Sequence, residues 1–150
     1  METELPKKTK RELVMALKHA EINHGPDHLN TAYALENLAK YLSAQHLEKP
    51  QHPDAEPLCR RMVEIIKKNY GEDSIQYSNA ALVHSEMLVH SGCIVEAIPL
   101  VFKSWQVSIK FLGSRHDSTD LKRFMFLQYL EEAASSGIQI SFNFDKKPTN

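Results

Sequence analysis

Eight histidines, two cysteines and several paired carboxylates are the residues of this chain that could do chemistry. A metal site is the first chemistry they suggest, yet neither an HExxH nor a paired CxxC pattern occurs. His24 and His28 come nearest, but they straddle the GlyProAsp break at 25–27 instead of sharing a helix face, and they read as solvent-facing turn residues. Cys59 opens a helix beside Arg60 and Arg61, where the helix dipole could activate a thiolate. No GxCxG context or nearby histidine accompanies it, and it reads as a packed thiol. The carboxylate pairs Glu131 with Glu132 and Asp117 with Asp120 read as caps and solvated faces. Phosphate loops, GxSxG and SxxK are absent. Phe124, Met125, Phe126 and Tyr129 could box a ligand, but core or interface packing of a terminal helix explains them as well. Arg60, Arg61, Lys67 and Lys68, and separately Lys7, Lys8, Lys10 and Arg11, form basic faces that read as solvated. His84 stands where its helix wants an apolar residue, so it is expected to be a buried imidazole bonded to a neighbour, with leucine tolerated in its place. No catalytic residue, metal or cofactor is expected, and the chain is expected not to be an enzyme.

The elements that hold these residues follow from composition. The chain has 150 residues, 42% hydrophobic and 25% charged, with 18 Lys plus Arg against 19 Asp plus Glu. That is enough for one domain with a sizeable core. A net charge of -1 gives no cationic excess for phosphate backbones, so nucleic acid is a poor partner. The longest nearly apolar stretch, Cys93 to Phe102, contains Glu96 and is about half of what a spanning helix needs, so membrane insertion is not expected. The charged N-terminus lacks the apolar run of a signal peptide, and two cysteines fit a reducing compartment. A cytoplasmic location is therefore expected.

Five glycines punctuate the chain, and the stretches between them have helical apolar spacing. Gly71 and Gly113 are 42 residues apart, and AspAlaGluProLeu at 54–58 returns as GluAlaIleProLeu at 96–100. Gly25 precedes Gly71 by 46, with the four extra residues placed in the polar segment 46–53. Two full repeats, 25–70 and 71–112, are thus flanked by half repeats. Thr9 and Glu12 form a capping box that opens a first helix to about Asn23. Ser118 or Asp117 is expected to cap a last helix to about Ser135, with Leu121, Phe124, Phe126, Leu127 and Leu130 as its apolar stripe. Pro57 and Pro99 are placed two or three positions into their helices, where a missing N–H costs little. Residues 1–8 read as a flexible end, 9–136 as the helical repeat domain and 137–150 as a tail. In that tail Ile138, Ile140, Phe142 and Phe144 alternate with polar residues, an extended pattern suited to a cap over the last helix or to strand addition.

GlyProAspHisLeuAsnThrAlaTyrAlaLeuGluAsnLeuAlaLys from 25 and AspAlaGluProLeuCysArgArgMetValGluIleIleLys from 54 resemble the 42-residue tetratricopeptide repeat of the kinesin light chain and nephrocystin type. His84 and Ser85 depart from the pattern, standing where Leu38 and Ala39 stand in the first repeat. The resemblance implies an all-α fold, a right-handed solenoid of about six antiparallel helices. It implies a concave groove that binds a peptide or a partner helix, lined by Tyr33, Asn37 and Lys40 from the first repeat and Asn79, Val83 and Glu86 from the second. The function so implied is a scaffold or adaptor that binds a protein. An accessory subunit or short isoform docking into a larger cytoskeletal or ciliary assembly, and a regulatory module of an enzyme system, are the alternatives.

Overall fold

Thr9 opens the first helix with the reciprocal bonds of a capping box: its hydroxyl accepts from the Glu12 backbone N–H at 3.3 Å, and the Glu12 carboxylate accepts from the Thr9 backbone N–H at 2.6 Å. A computed structural model describes residues 9–44 and 54–140. These form six α-helices in chain order: α1 (Lys10–His24), α2 (Leu29–Ala44), α3 (Ala55–Tyr70), α4 (Ile75–His90), α5 (Ile94–Leu112) and α6 (Asp117–Ser135). No strand occurs among the described residues. None of these helices is long and apolar enough to cross a membrane. The N-terminal segment 1–8, the loop 46–53 and the tail beyond Ile140, with Phe142 and Phe144, lie outside the described residues.

The chain reverses by one device used three times. Gly25, Gly71 and Gly113 close α1, α3 and α5 with φ of 95°, 80° and 88°, and each backbone N–H returns to a carbonyl four residues back. A Cβ at any of them would meet open space, so the requirement for glycine is torsional and not steric. Three residues after each glycine a side chain caps the next helix: His28 Nδ1 accepts from the Asn30 N–H, Ser74 Oγ from the Tyr77 N–H and His116 Nδ1 from the Ser118 N–H, each at 3.1 Å. His116 therefore caps α6, in place of the expected Ser118 or Asp117. Equivalent residues also make equivalent links. Lys68 of α3 pairs with Asp27, and Lys110 of α5 pairs with Asp73 at 3.6 Å. Such exposed pairs add little stability, but they show that the sequence period is a structural period.

Helices joined by these short turns pack mainly on their chain neighbours, which makes them antiparallel. The core is correspondingly divided. Leu13, Leu38, Leu42, Cys59 and Met87 form a cluster across α1 to α4, Leu35, Met62, Ile65, Ile66 and Ala81 one across α2 to α4, and Leu88, Ile98, Val101, Phe126 and Tyr129 one across α4 to α6. Pro99 lies six residues into α5, not two or three, because α5 starts a turn early at Ile94. On α6 the expected stripe is only partly buried. Phe126 and Tyr129 enter the core, but Leu121, Phe124 and Leu127 are 51%, 63% and 51% exposed, and the buried line runs Thr119, Lys122, Phe126, Tyr129, Ala133. In the tail, Ile138 and Ile140 are half-buried against the α4–α6 cluster while Gln139 is exposed, so the alternation holds over 138–140.

Lys122 is the largest fully buried side chain. Nine residues after their glycines, the first two repeats have Ala34 and Ala80 where the third has Lys122. Around Ala80 the facing residues are apolar, Ala32, Met62 and Ile66; around Lys122 the same positions are Ser78, Ser104 and Ser108. The ammonium donates to Ser78 Oγ at 2.8 Å, Ser108 Oγ at 2.7 Å and Asn79 Oδ1 at 2.9 Å, which uses all three of its protons. Ser78 and Ser104 also bond each other's carbonyls, at 2.8 and 2.6 Å.

Burial pushes the Lys122 amine down to about 8. An unfolded lysine titrates near 10.4, so between these values the unfolded chain holds the extra proton and Lys122 adds stability as pH rises. Cys59 and Tyr129, both pushed up to about 12 by burial, act in the opposite sense, because the folded chain keeps protons that the unfolded chain releases. The test is therefore a difference between Lys122→Met and the parent. Methionine fills the same space and leaves the serine bonds in place, so the variant should be at least as stable near pH ~7.5. That advantage should shrink by on the order of 2 kcal/mol by pH ~10. Denaturant unfolding at the two pH values reads it, and equal gaps would mean that the amine does not titrate in this range.

Candidate binding surfaces

The six residues expected to line a groove occur as two lines with the same spacing, Tyr33, Asn37 and Lys40 on α2 and Asn79, Val83 and Glu86 on α4. Their surroundings divide them. Tyr33 and Asn37 are exposed and line a hollow of about 270 Å³, together with Asn30 and Ala34 of α2 and Leu13, Ala16 and Ala20 of α1. Lys40, exposed, pairs with Glu36 one turn away at 2.5 Å. Glu86 is half-buried, and burial pushes its carboxyl up against the opposing charges of His90 and Lys40. Lys40 and Glu86 thus sense each other across the α2–α4 boundary. Asn79 is exposed but already accepts from Lys122. Val83 is half-buried, packed against two of the three core clusters, and offers a partner little beyond an apolar edge.

This strip can hydrogen-bond and make apolar contacts, but it holds no activated nucleophile. Cys59 is fully buried, and burial, with Glu36 and Glu56 adding to it, pushes its thiol up to about 12, so it is a packing residue. Among the described residues no group of three His, Cys, Asp or Glu is placed to hold a metal ion. His24 and His28 stack with ring centroids 4.9 Å apart beside the first turn.

His84 is buried, 8% exposed, and its Nε2 lies 2.8 Å from Glu56 Oε1 of α3, while Nδ1 is left without a partner. A buried imidazole bonded to a neighbour is what the sequence suggests, but the neighbour's being a carboxylate changes what leucine would do there. Burial pushes the Glu56 carboxyl up. Hydrogen bonds and charge from His84 and Arg60, the latter at 3.0 Å, outweigh that and hold it below its ordinary value.

Two features escape sequence reasoning. One is Lys122 with its three serines, whose signal was a set of small hydroxyls inside otherwise apolar stripes. The other is a second hollow, about 410 Å³, along the outer face of α1 at Glu12, Met15, Ala16 and His19. Ala16 lines both hollows.

Replacing His84 by leucine should lower stability by about 1–2 kcal/mol, since a nearly buried carboxylate loses a partner. His84→Leu/Glu56→Leu should recover most of that loss. The lowered Glu56 carboxyl contributes stability above its unfolded value and loses it as pH falls through the folded value. The gap between parent and His84→Leu should therefore narrow below pH ~4. Chemical unfolding of the three proteins at neutral and acid pH measures both effects.

Compared with the known protein families and with curated proteins, the chain matches none.

Proposed function

We propose that this chain is a non-catalytic protein-interaction module of tetratricopeptide type that takes a peptide or a partner helix along the exposed face of α2 and α4. The observation that carries the reading is the recurrence of one contact set at the 42 to 46-residue period: a left-handed glycine, a cap three residues later and the Asp–Lys links of the first two turns. In such an array each helix pair buries its apolar side on the next, and one face of every first helix is left for a partner. Tyr33, Asn37 and Lys40 stand on that face with an aromatic ring, an amide and an ammonium, groups that hold a peptide backbone and a carboxylate. Glu86 and Asn79 extend it on α4. Scaffold or adaptor is the role that follows, with no chemistry done on the partner.

Selection of binders from a displayed random-peptide library tests it. A selected peptide should lose about tenfold in affinity against Asn37→Ala/Lys40→Ala, a change of about 1.4 kcal/mol. The melting temperature should stay within about 2 °C, because both residues are exposed. Undiminished binding would move the partner to another surface, and a sharp fall in melting temperature would make the pair structural.

A further inference from the structure

Leu121, Phe124, Leu127 and Leu130 stand at intervals of three residues along α6. On a helix such a row is a ridge inclined by about 45° to the axis, with neighbouring side chains about 5–6 Å apart. Its C-terminal end is anchored, since Leu130 is half-buried against the α4–α6 cluster. From there the ridge winds through Leu127 and Phe124 to Leu121, away from the buried line of the helix, and these three side chains are all more than half exposed.

The chain that can cover the ridge starts at its anchored end. Gly137, with φ of 73°, closes α6, and the Ile138 N–H returns to the Ala133 carbonyl at 2.9 Å. Ile138 and Ile140 are then half-buried against the same cluster as Leu130, with Gln139 exposed between them. The sequence continues the alternation beyond the described residues, with Phe142 and Phe144 apolar and Ser141 and Asn143 polar. In an extended chain alternate side chains point to one side, about 6.6 Å apart. Ile138, Ile140, Phe142 and Phe144 thus make a row of four to set against the four of the ridge. The row is about 20 Å long when extended, and the ridge is about 17 Å long.

Charge points to the same register. One step beyond Phe144 on the apolar side of the row is Lys146. One turn before Leu121, on the same face of α6, is the exposed Asp117. One turn before Phe124 is Asp120, also exposed, which pairs with Arg123 at 3.2 Å. A chain that runs back along the ridge therefore brings its first cation to the acidic start of the helix.

We propose that the ridge from Leu130 to Leu121 is the seat of this chain's own C-terminal segment, residues 141–147. The segment runs back along α6 in extended form, Phe142 and Phe144 cover Leu127, Phe124 and Leu121, and Lys146 meets Asp117. Ser141 and Asn143 stay in water. Nothing in this docking depends on a peptide bound along α2 and α4.

Thermal unfolding of the 150-residue chain tests it. Phe124→Ser should lower the melting temperature by about 4 °C, more than a side chain left in water would cost. Phe142→Ser/Phe144→Ser should lower it by a similar amount. All three changes together should cost hardly more than either set alone, because the same contact is lost twice. The falls should be equal at about 5 µM and about 200 µM protein, since the contact lies within one chain. Negligible or additive effects overturn the proposal, and effects that grow with concentration overturn it by giving the ridge to the tail of another copy. Register is read in a Cys93→Ser background, in which Cys59 is fully buried. There Leu121→Cys/Phe144→Cys should close an intrachain disulfide under mild oxidation, and Met15→Cys/Phe144→Cys, with its first cysteine on α1, should not. No disulfide in the first pair, or equal yields in both, overturns the docking.

Discussion

Everything in this fold hangs on the chain's ability to reverse at three left-handed glycines without losing register. The N–H of Gly25, Gly71 and Gly113 still returns into the helix it ends, the positive φ there turns the following chain away, and the residue three further on starts the next helix. The turn between is so short that the two helices must lie against each other. Once that geometry recurs, with the four extra residues of the first unit held outside its helices, equivalent positions meet across neighbouring helices and the sequence period becomes a set of repeating contacts.

Within that regularity the third unit is different. Where the second unit is seated by Ala80 against an apolar surface, the third is seated by the stem and ammonium of Lys122 against three serines and an asparagine. The apolar version is indifferent to hydrogen-bond direction. The polar version is satisfied only when Ser78, Ser108 and Asn79 all present oxygens to one nitrogen, so it fixes how α6 sits on α4 and α5. Trp105 and Phe126, stacked with centroids 5.7 Å apart, fill the neighbouring part of the same boundary.

Features set by local geometry were legible in the sequence. The six helices, the Thr9 capping box and the glycine breaks depend on residues within a turn of each other, and all are found. Features set by the presence or absence of a neighbour were not. Leu121, Phe124 and Leu127 look like a core stripe by hydropathy, yet they are exposed because no described element covers that side of α6, while Lys122 is buried because α4 and α5 cover the other. The same reason separates the groove residues. Tyr33 and Asn37 have the expected exposure, but their nearest surroundings are α1, and Val83 is claimed by the core. The burial of His84 follows from its place in an apolar stripe, whereas its partner Glu56, 28 residues away on another helix, has no signature in the spacing.

The division of the core into successive clusters also sets how this protein yields to force. A domain with one centre resists extension until that centre breaks, and then gives way at once. Here a pull on the two ends loads the outermost helix first, while the clusters further along the chain keep their contacts. A core divided in this way has no single centre whose loss releases the whole chain at once.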